Sequence, residues 1–180
     1  MVADAVQDSA PRAEEFDVAA RGSIDLERFQ RHHPVDFDRA LAEIQSGRKC
    51  THWMWFIFPQ IVSLGRSPTA IEYGITSREE ADAYLRHPIL GRDYTAIVEA
   101  VRQQVVSRAV GLTALMGRPD DFKLVSSVTL FRAIAQCSGD AQLEQFTDQC
   151  DDVIEQAELQ GFPRCVATTD FLAAGMTGEF

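Results

Sequence analysis

Long hydrophobic runs and basic residues are what this sequence of 180 residues most clearly lacks. No apolar run approaches the roughly 20 residues of a membrane-spanning helix, and the N-terminus has neither the basic region nor the apolar core of a secretory signal. Lys and Arg number 17 against 27 Asp and Glu, which gives a formal net charge of −10. Because nucleic acids and anionic membranes bind concentrated basic faces, this charge argues against general binding of either. We expect a cytoplasmic protein.

Cysteine and the common cofactor motifs are scarce as well. No C-x-x-C pair and no Cys/His cluster with metal-ligand spacing is formed by the four cysteines, which are Cys50, Cys137, Cys150 and Cys165. With 46% hydrophobic residues available for a core, the chain needs no disulfide framework, and the thiols are expected to be reduced. The chain has no Walker A loop, no G-x-G-x-x-G and no fixed-period repeat. The sequence therefore predicts neither a metal site nor a cofactor.

Apolar residues at helical spacing predict a mainly α protein, a single compact multi-helix domain with room for one short strand or extended segment. Residues 23–174 are expected to form this helical domain. Residues 1–22 are small, acidic and unpatterned, which predicts a flexible N-terminal tail. Residues 175–180 are expected to form a frayed C-terminus.

Turn and capping residues predict where several helices begin and end. Asp36 is expected to cap a helix that follows a break at His33-Pro34 and stops at residues 46–47. Residues 87–88 should end another helix, because proline disfavours helix in the residue before it. Further helices are expected at about 91–109 and 142–159, with a last short one near 171–172.

Two serines have the pattern of helix N-caps. Ser67 precedes Pro68, which suits the first position of a helix. Ser77 and Glu80 form a capping box, in which the serine oxygen accepts from the third helical amide and the glutamate reaches back to the cap amide.

Two segments fit either a helix or a strand. Residues 53–58 are six consecutive large apolar residues, which suit a short strand or a buried helix equally well. Residues 123–131 are rich in β-branched residues and suit a short strand, although Asp120 and Asp121 would also start a helix.

The first of these segments is bracketed by candidate functional residues. His52 stands before the aromatic run and suits acid/base work or ligand recognition; its alternative is a helix cap or a satisfied core histidine. Trp53 and Trp55 suit stacking on a planar ligand, although most of the run should pack in the core. Gln60 follows the run.

A turn at Gly65-Arg66-Ser67 suits an anionic ligand. A glycine permits close backbone approach, an arginine offers a bidentate fork, and a serine at a helix start adds a hydroxyl beside unpaired amides. The alternative is an ordinary turn with its cap and a surface arginine.

Two further sets complete the candidates. His87 suits a helix cap or an acid/base group. A compact polar set lies between apolar residues later in the chain, and a Lys-Ser pair within it has the residue types of a nucleophile with its base: Lys123, Ser126, Ser127 and Thr129.

Four motifs in order resemble a bacterial family known as domain of unknown function 1810. They are Lys49-x-x-His52-Trp53-Met54-Trp55-Phe56-Ile57-Phe58-Pro59-Gln60, Leu64-Gly65-Arg66-Ser67, Ala81-x-x-Tyr84-Leu85-x-His87-Pro88-x-Leu90-Gly91 and Lys123-Leu124-x-Ser126-Ser127-x-Thr129-Leu130-Phe131. The resemblance runs from about Leu26 to Ala135 and implies a small, compact, mostly helical cytoplasmic protein without an established activity. Ser63 departs from the glycine usual there, and the chain after Gln136 resembles the family poorly.

Some members of that family carry the label calpastatin, a protease inhibitor. Calpastatin works through disordered repeated segments, whereas this chain has a patterned core and no repeats. The label therefore finds no support in these residues.

The resemblance implies that the polar residues of the four motifs share a purpose. Our hypothesis is an aromatic-lined pocket for a small anionic or planar, nucleotide-like ligand, in which Arg66 takes the negative group and His52 or His87 acts as acid/base. The other predicted ligand contacts are Trp53, Trp55, Gln60, Gly65, Ser67, Tyr84, Lys123, Ser126, Ser127 and Thr129. The alternative is a non-catalytic protein-interaction module with an acidic surface.

Overall fold

In the computed structural model, which describes residues 24–31 and 33–174, ten α-helices follow one another without a strand. They are α1 (Glu27–Gln30), α2 (His33–Gln45), α3 (Met54–Ile57), α4 (Pro68–Glu72), α5 (Arg78–Arg86), α6 (Leu90–Arg102), α7 (Leu112–Met116), α8 (Asp120–Ser138), α9 (Glu144–Leu159) and α10 (Val166–Ala174). Within the described part, the mainly α single domain is confirmed. The expected tails, residues 1–22 and 175–180, lie outside it.

Two long helices organise the packing. Helix α8 lies along α9 and also contacts α5, α7 and α10, while α6 packs against α2, α5 and α9. Tyr94 of α6 is the centre of the core, with ring centroids 4.5 Å from Phe131, 5.6 Å from Phe58 and 5.9 Å from Phe146. Such tilted and edge-on arrangements are favoured between aromatic rings. None of the described helices is both long enough and apolar enough to cross a membrane.

Both ambiguous segments are helical. Residues 54–57 form the single turn of α3, and residues 120–138 form one continuous helix, α8. Helix α8 is buried on several sides, so its apolar residues are nearly continuous in the sequence and do not recur with helical periodicity. Thr129 fits the helix because its Oγ1 donates to the carbonyl oxygen of Val125, 2.7 Å away.

Most capping predictions are confirmed, with one correction and one change of partner. Helix α2 begins at His33, so the prediction of Asp36 as its N-cap is wrong. Asp36 lies in the first turn instead, where its negative charge interacts favourably with the helix dipole. Gly47 adopts φ +87° after the end of α2, as its stop position requires. Ser77 accepts from the amide of Glu80, but Glu80 does not return the bond: it is buried, accepts from Thr76 and pairs with Arg28 of α1.

The expected helix at 91–109 is shorter than predicted. Helix α6 ends at Arg102, and residues Gln103–Ser107 continue as a π-helical turn. At the other end of α6, a Cβ on Gly91 would lie 1.8 Å from the carbonyl oxygen of Leu85, so only glycine permits this contact between α5 and α6.

A buried histidine and aspartate join α2 to α6. His33 is 3% exposed, and its Nε2 lies 2.8 Å from Oδ2 of Asp93. Its ring stacks on Phe37, and its Nδ1 is buried without a hydrogen-bond partner among residues 24–31 and 33–174. Burial lowers the pKa of His33 below its usual value, although the hydrogen bond and the charge of Asp93 act to raise it. The imidazole is therefore neutral at neutral pH and donates from Nε2 to the carboxylate.

Acidification below about pH 6.5 is expected to destabilise the protein through His33. Because the folded pKa lies below the unfolded one, the unfolded chain binds more protons between the two values, so the free energy of unfolding falls there as the pH falls. One proton accounts for at most about 1.4 kcal/mol per pH unit, and above the unfolded pKa the contribution is constant. Urea unfolding as a function of pH measures the slope.

His33→Gln serves as the control, because its amide nitrogen can still donate to Asp93 but does not titrate. The variant should lose this part of the slope, while the other histidines contribute equally to both proteins. An unchanged slope in the variant would contradict the assignment.

Candidate functional site

The two lysines and the two tryptophans of the chain meet around the carboxylate of Asp120. Nζ of Lys49 and Nζ of Lys123 each lie 2.7 Å from an Asp120 oxygen. The Lys49 ammonium also lies 5.1 Å from the ring centroid of Trp53, and the Lys123 ammonium 5.2 Å from that of Trp55, within the range of cation–π attraction. Two cations therefore share the carboxylate of Asp120.

The two lysines differ in access to solvent. The Lys49 side chain is 8% exposed, and its ammonium also donates to the carbonyl oxygen of Thr51 at 2.7 Å. The Lys123 side chain is 25% exposed. Burial raises the pKa of Asp120, but hydrogen bonds from Lys123 and Lys49 outweigh it and hold that pKa below its usual value. The cluster is thus an ionised array in which Lys123 is the cation that a ligand can reach.

Glu43 of α2 fixes the segment that leads into the aromatic run. Its carboxylate accepts four hydrogen bonds, from the amide and hydroxyl of Thr51 at 3.0 and 2.6 Å, the amide of Cys50 at 2.6 Å and the indole Nε1 of Trp53 at 2.8 Å. Burial raises the pKa of Glu43, but these donors outweigh it and lower the pKa to about 2. Glu43 is therefore ionised at neutral pH and sets the orientation of Trp53.

A shallow crevice opens beside Lys123. Trp55, Gln60 and Gly65 line it together with Lys123, and apolar side chains close it from below. Its cavity volume is about 10 Å³, roughly the space of one water molecule. Trp55 is half-buried, whereas the other five residues of the run 53–58 are buried. A ligand would therefore lie across the mouth of the crevice and meet a ring, an amide and an ammonium.

One rim of the crevice is a closed loop, residues 60–75. A parallel bridge between Ile61 and Ile75 joins its ends, with the Val62 amide donating to the Ile75 carbonyl at 2.9 Å and the Ile75 amide donating to the Gln60 carbonyl at 2.8 Å. A Cβ on Gly65 would lie 2.9 Å from the backbone of Ala70. The sequence predicted that a ligand would approach the Gly65 backbone, whereas in the structure Ala70 does so. The loop thus fills the space with its own backbone.

The predicted site residues divide into three groups, of which the first is near the crevice. Trp55, Gln60, Gly65 and Lys123 line it directly. Arg66 follows Gly65, is exposed and makes no ion pair within the described residues. The hydroxyl of Ser67 accepts from the amide of Ala70 and so caps α4.

The second group is buried and has partners inside the protein: Trp53, Tyr84, Ser126 and Ser127. Trp53 is 1% exposed and donates to Glu43. Ser127 donates to the carbonyl of Pro59 at 2.8 Å and lies 2.9 Å from the Tyr94 hydroxyl. Ser126 lies 2.9 Å from the Thr168 hydroxyl. Their predicted contacts with a ligand would require the core to open, whereas their present contacts hold α8 in place.

Tyr84 belongs to the same buried group. Its hydroxyl donates to the carbonyl of Phe56 at 3.4 Å, and burial raises its pKa far above the usual value. It is a core side chain that joins α5 to the aromatic run.

The third group lies away from the crevice. His87 follows α5, and its Nδ1 accepts from the amides of Ile89 and Leu90 at 3.3 and 3.2 Å, so it caps the start of α6. Thr129 lines a different groove, between α8, α9 and α10. His52 is exposed beside the segment that Glu43 fixes. The acid/base roles proposed for His52 and His87 stay predictions, and the structure does not bring the two residues into the crevice.

The sequence analysis did not include three residues of this cluster among the candidate site residues: Glu43, Lys49 and Asp120. Asp120 was read as a helix start, and Glu43 lies within a predicted amphipathic helix where carboxylates are ordinary. The rarity of lysine could have pointed to the cluster. Only two of the 17 basic residues are lysines, Lys49 and Lys123, and both lie within the four motifs.

Comparison with known proteins adds a family and a relative of known structure. The family model described as protein of unknown function (DUF1810) matches residues 23–158. The crystal structure of the conserved hypothetical protein Rv1873 from Mycobacterium tuberculosis is similar, with 37% sequence identity, 83% of this chain and 96% of that chain covered, and a TM-score of 0.65. No curated protein matches the chain significantly.

Glu43→Gln is expected to lower the free energy of unfolding by about 2–3 kcal/mol, the scale of hydrogen bonds to a charged group. Glutamine keeps the size of the side chain but offers one acceptor oxygen, and its amide hydrogens would face other donors. In the unaltered protein, the same stabilisation should be present above pH 4.5 and decline as the pH falls through that value towards 2. Urea unfolding followed by tryptophan fluorescence measures both effects.

Asp38→Asn on the exposed side of α2 is the matched control and should change stability by less than about 0.5 kcal/mol. If Glu43→Gln behaved like this control, the carboxylate would not be fixing the segment.

Proposed function

Because this chain belongs to the DUF1810 family of proteins of unknown function, we propose its function from its own side chains: it binds a small anionic ligand with a planar group at the Trp55–Lys123 crevice. The single observation that carries the proposal is the meeting of both lysines and both tryptophans around Asp120. The half-buried Trp55 beside the partly exposed Lys123 offers a stacking surface and a positive charge to the same ligand.

The electrostatics favour an anion over a neutral molecule. Asp120 is shared by its two lysines, and the ionised carboxylate of Glu43 lies on the Trp53 side of the cluster, so the partly exposed Lys123 is the cation that lines the crevice. Arg66 follows the lining residue Gly65 in the chain, is exposed, makes no ion pair among the described residues and would supply a second cation. The net charge of −10 repels anions at long range, so Lys123 and Arg66 would attract an anion only at close range.

The dimensions of the crevice favour surface stacking. A cavity of about 10 Å³ does not enclose a nucleotide, but a flat ring can lie on Trp55 while its carboxylate or phosphate meets Lys123 and Arg66. Gln60 adds an amide that can donate or accept at the same edge. Specificity would then come from the anionic group and the ring, with a nucleotide-like ligand as one member of that class.

Binding without catalysis fits the geometry best. Lys123 is paired with Asp120, Ser127 donates to Pro59, and His52 lies outside the crevice, so no nucleophile and base face a common point there. The proposal includes the cytoplasmic location expected from the sequence, since the four cysteines are free and free thiols suit a reducing compartment.

A second candidate function, a protein-interaction module, is favoured by the outer face of α9. Carboxylates at helical spacing form an exposed stripe on that helix: Glu144, Asp148, Asp151, Glu155 and Glu158. Asp151 pairs with Arg132, and Glu158 with Arg164. The remaining charge would suit a basic partner surface.

Lys123→Gln is expected to abolish stabilisation by ligands of the proposed class. In a thermal-shift screen of nucleotides and of aromatic carboxylates, a binding ligand at 100 times its dissociation constant should add about 2.7 kcal/mol to the folded state of the unaltered protein. The variant should unfold at a similar temperature without ligand, because it removes a partly exposed cation, and should show no shift with it. Trp55→Leu should lose the response to planar ligands and retain part of the response to simple phosphate.

Amine acetylation read by mass spectrometry locates the contact, because the chain has two lysines. A bound ligand should protect Lys123, with Lys49 slow to react throughout and Arg39→Gln as the binding control on α2. Protection of neither lysine, or full binding by Lys123→Gln, would remove the crevice as the site. A response to basic peptides and to no anion would favour the α9 surface instead.

A further inference from the structure

Helix α10 is held to the rest of the protein by a small contact. Of its nine residues, Thr168 is buried, while Ala167, Phe171 and Leu172 are partly buried against the core. Val166, its first residue, is 67% exposed. Isolated helices shorter than about 12–15 residues are marginal in water. A helix of nine residues therefore depends on the surface that receives it.

That surface belongs mainly to α8 and α5, and not to α9, the helix to which α10 is tethered. Oγ of Ser126 on α8 lies 2.9 Å from Oγ1 of Thr168. Nη1 of Arg78 on α5 donates to the carbonyl oxygen of Leu172 at 2.7 Å. Towards α9, a groove of about 300 Å³ is lined by Ile154 on one side and Leu172 on the other. The contacts that hold α10 are thus made with helices that are not its neighbours in the chain.

A short hinge joins α10 to the domain. Helix α9 runs back along α8, and Phe162 beyond its end is 8% exposed and packs on Phe122, with ring centroids 5.1 Å apart. Six residues later, Thr168 meets Ser126, about one turn further along α8. The chain must therefore turn back between α9 and α10, and residues 163–165 are the only ones between the fixed ring and the first residue of α10.

A hinge of this length favours exchange of the helix between two copies of the chain. In an exchanged pair the hinge can extend, and α10 keeps every contact because the receiving surface is the same in each copy. A flexible tether holds its own helix at an effective concentration of about millimolar, and a tether too short to close freely lowers that value. Docking of α10 from a second copy then competes at protein concentrations below about millimolar.

We propose that the surface of α5 and α8 beneath α10 binds the α10 of a second copy, so that two chains exchange this helix and form a reversible dimer. The partner is specified by contacts that are already present: the Thr168 hydroxyl meets Ser126, and the Leu172 carbonyl meets Arg78. None of the described residues that line the Trp55–Lys123 crevice belongs to α10, so the proposal does not depend on ligand binding there.

Disulfide trapping between two differently altered chains tests the exchange. One full-length chain carries Ser126→Cys and the other Thr168→Cys, in a background that keeps the buried Cys150. The background removes the three cysteines that are not buried: Cys50→Ser, Cys137→Ser and Cys165→Ser. When the two chains are mixed at about 0.5 mM in a glutathione redox buffer, a disulfide should join the two substituted positions across the chains. Mass spectrometry of the linked peptide identifies it.

The double variant Ser126→Cys/Thr168→Cys is the matched control. Oxidised at about 10 µM, where closure within one chain prevails, it locks α10 in place and should stay monomeric when concentrated. For the unaltered chain, light scattering after size exclusion should give a dimer fraction below about one tenth at about 10 µM and near one half at about 1 mM.

A longer hinge supplies a second test that leaves the buried positions 126 and 168 unchanged. Insertion of Gly-Ser-Gly-Ser after Pro163, which is exposed, lets α10 close on its own chain freely and should lower the dimer fraction several-fold at every concentration. The melting temperature of this variant should stay close to that of the unaltered chain, because no contact of α10 is removed.

The absence of an interchain disulfide between positions 126 and 168 at about 1 mM protein overturns the proposal. Equal dimer fractions in the locked and unaltered chains would overturn it as well. A dimer that does not respond to the length of the hinge would be held by another surface, and exchange of α10 would then be rejected.

Discussion

An ionised carboxylate enclosed by donors is the constraint from which the candidate crevice is built. Glu43 accepts from two backbone amides, a hydroxyl and an indole, and these bonds tie the end of α2 to the start of the aromatic run. Without that anchor, Trp53 would lose its orientation and Lys49 would lose the ring beside which it lies. Lys49 in turn reaches Asp120 of α8, which also holds Lys123.

Different faces of helix α8 contact different parts of the protein. Lys123 and Ser127, four residues apart, face the aromatic segment, where one meets the crevice and the other bonds to Pro59. Ser126 faces α10, and Phe131 reaches the rings around Tyr94. A single helix therefore carries both Lys123, which lines the crevice, and Phe131, which packs at the centre of the core.

The fold was largely predictable, and the site was predictable in part, for different physical reasons. Helical periodicity and caps such as Ser67 and Ser77 are local, and local signals survive in the sequence. Glu80 shows the limit: its predicted bond to the cap amide lost to Arg28, 52 positions earlier in the chain, and sequence spacing carries no trace of that neighbour. Glu43 and Asp120 were missed for the same reason, because their partners come from other elements. His87 and Tyr84 entered the hypothesis through a shared motif, yet their roles are to cap α6 and to fill the core.

The bridge between Ile61 and Ile75 makes the loop beside the crevice a replaceable unit. Two backbone hydrogen bonds close it at its base and Tyr73 anchors it in the core, so the exposed residues 66–69 can change in composition while both ends stay in register with the core. Arg66 lies within that unit, whereas Lys123 belongs to a core helix. Selection could therefore retune which anion the crevice prefers by altering the loop alone, and relatives that share the same helices need not share the same ligand.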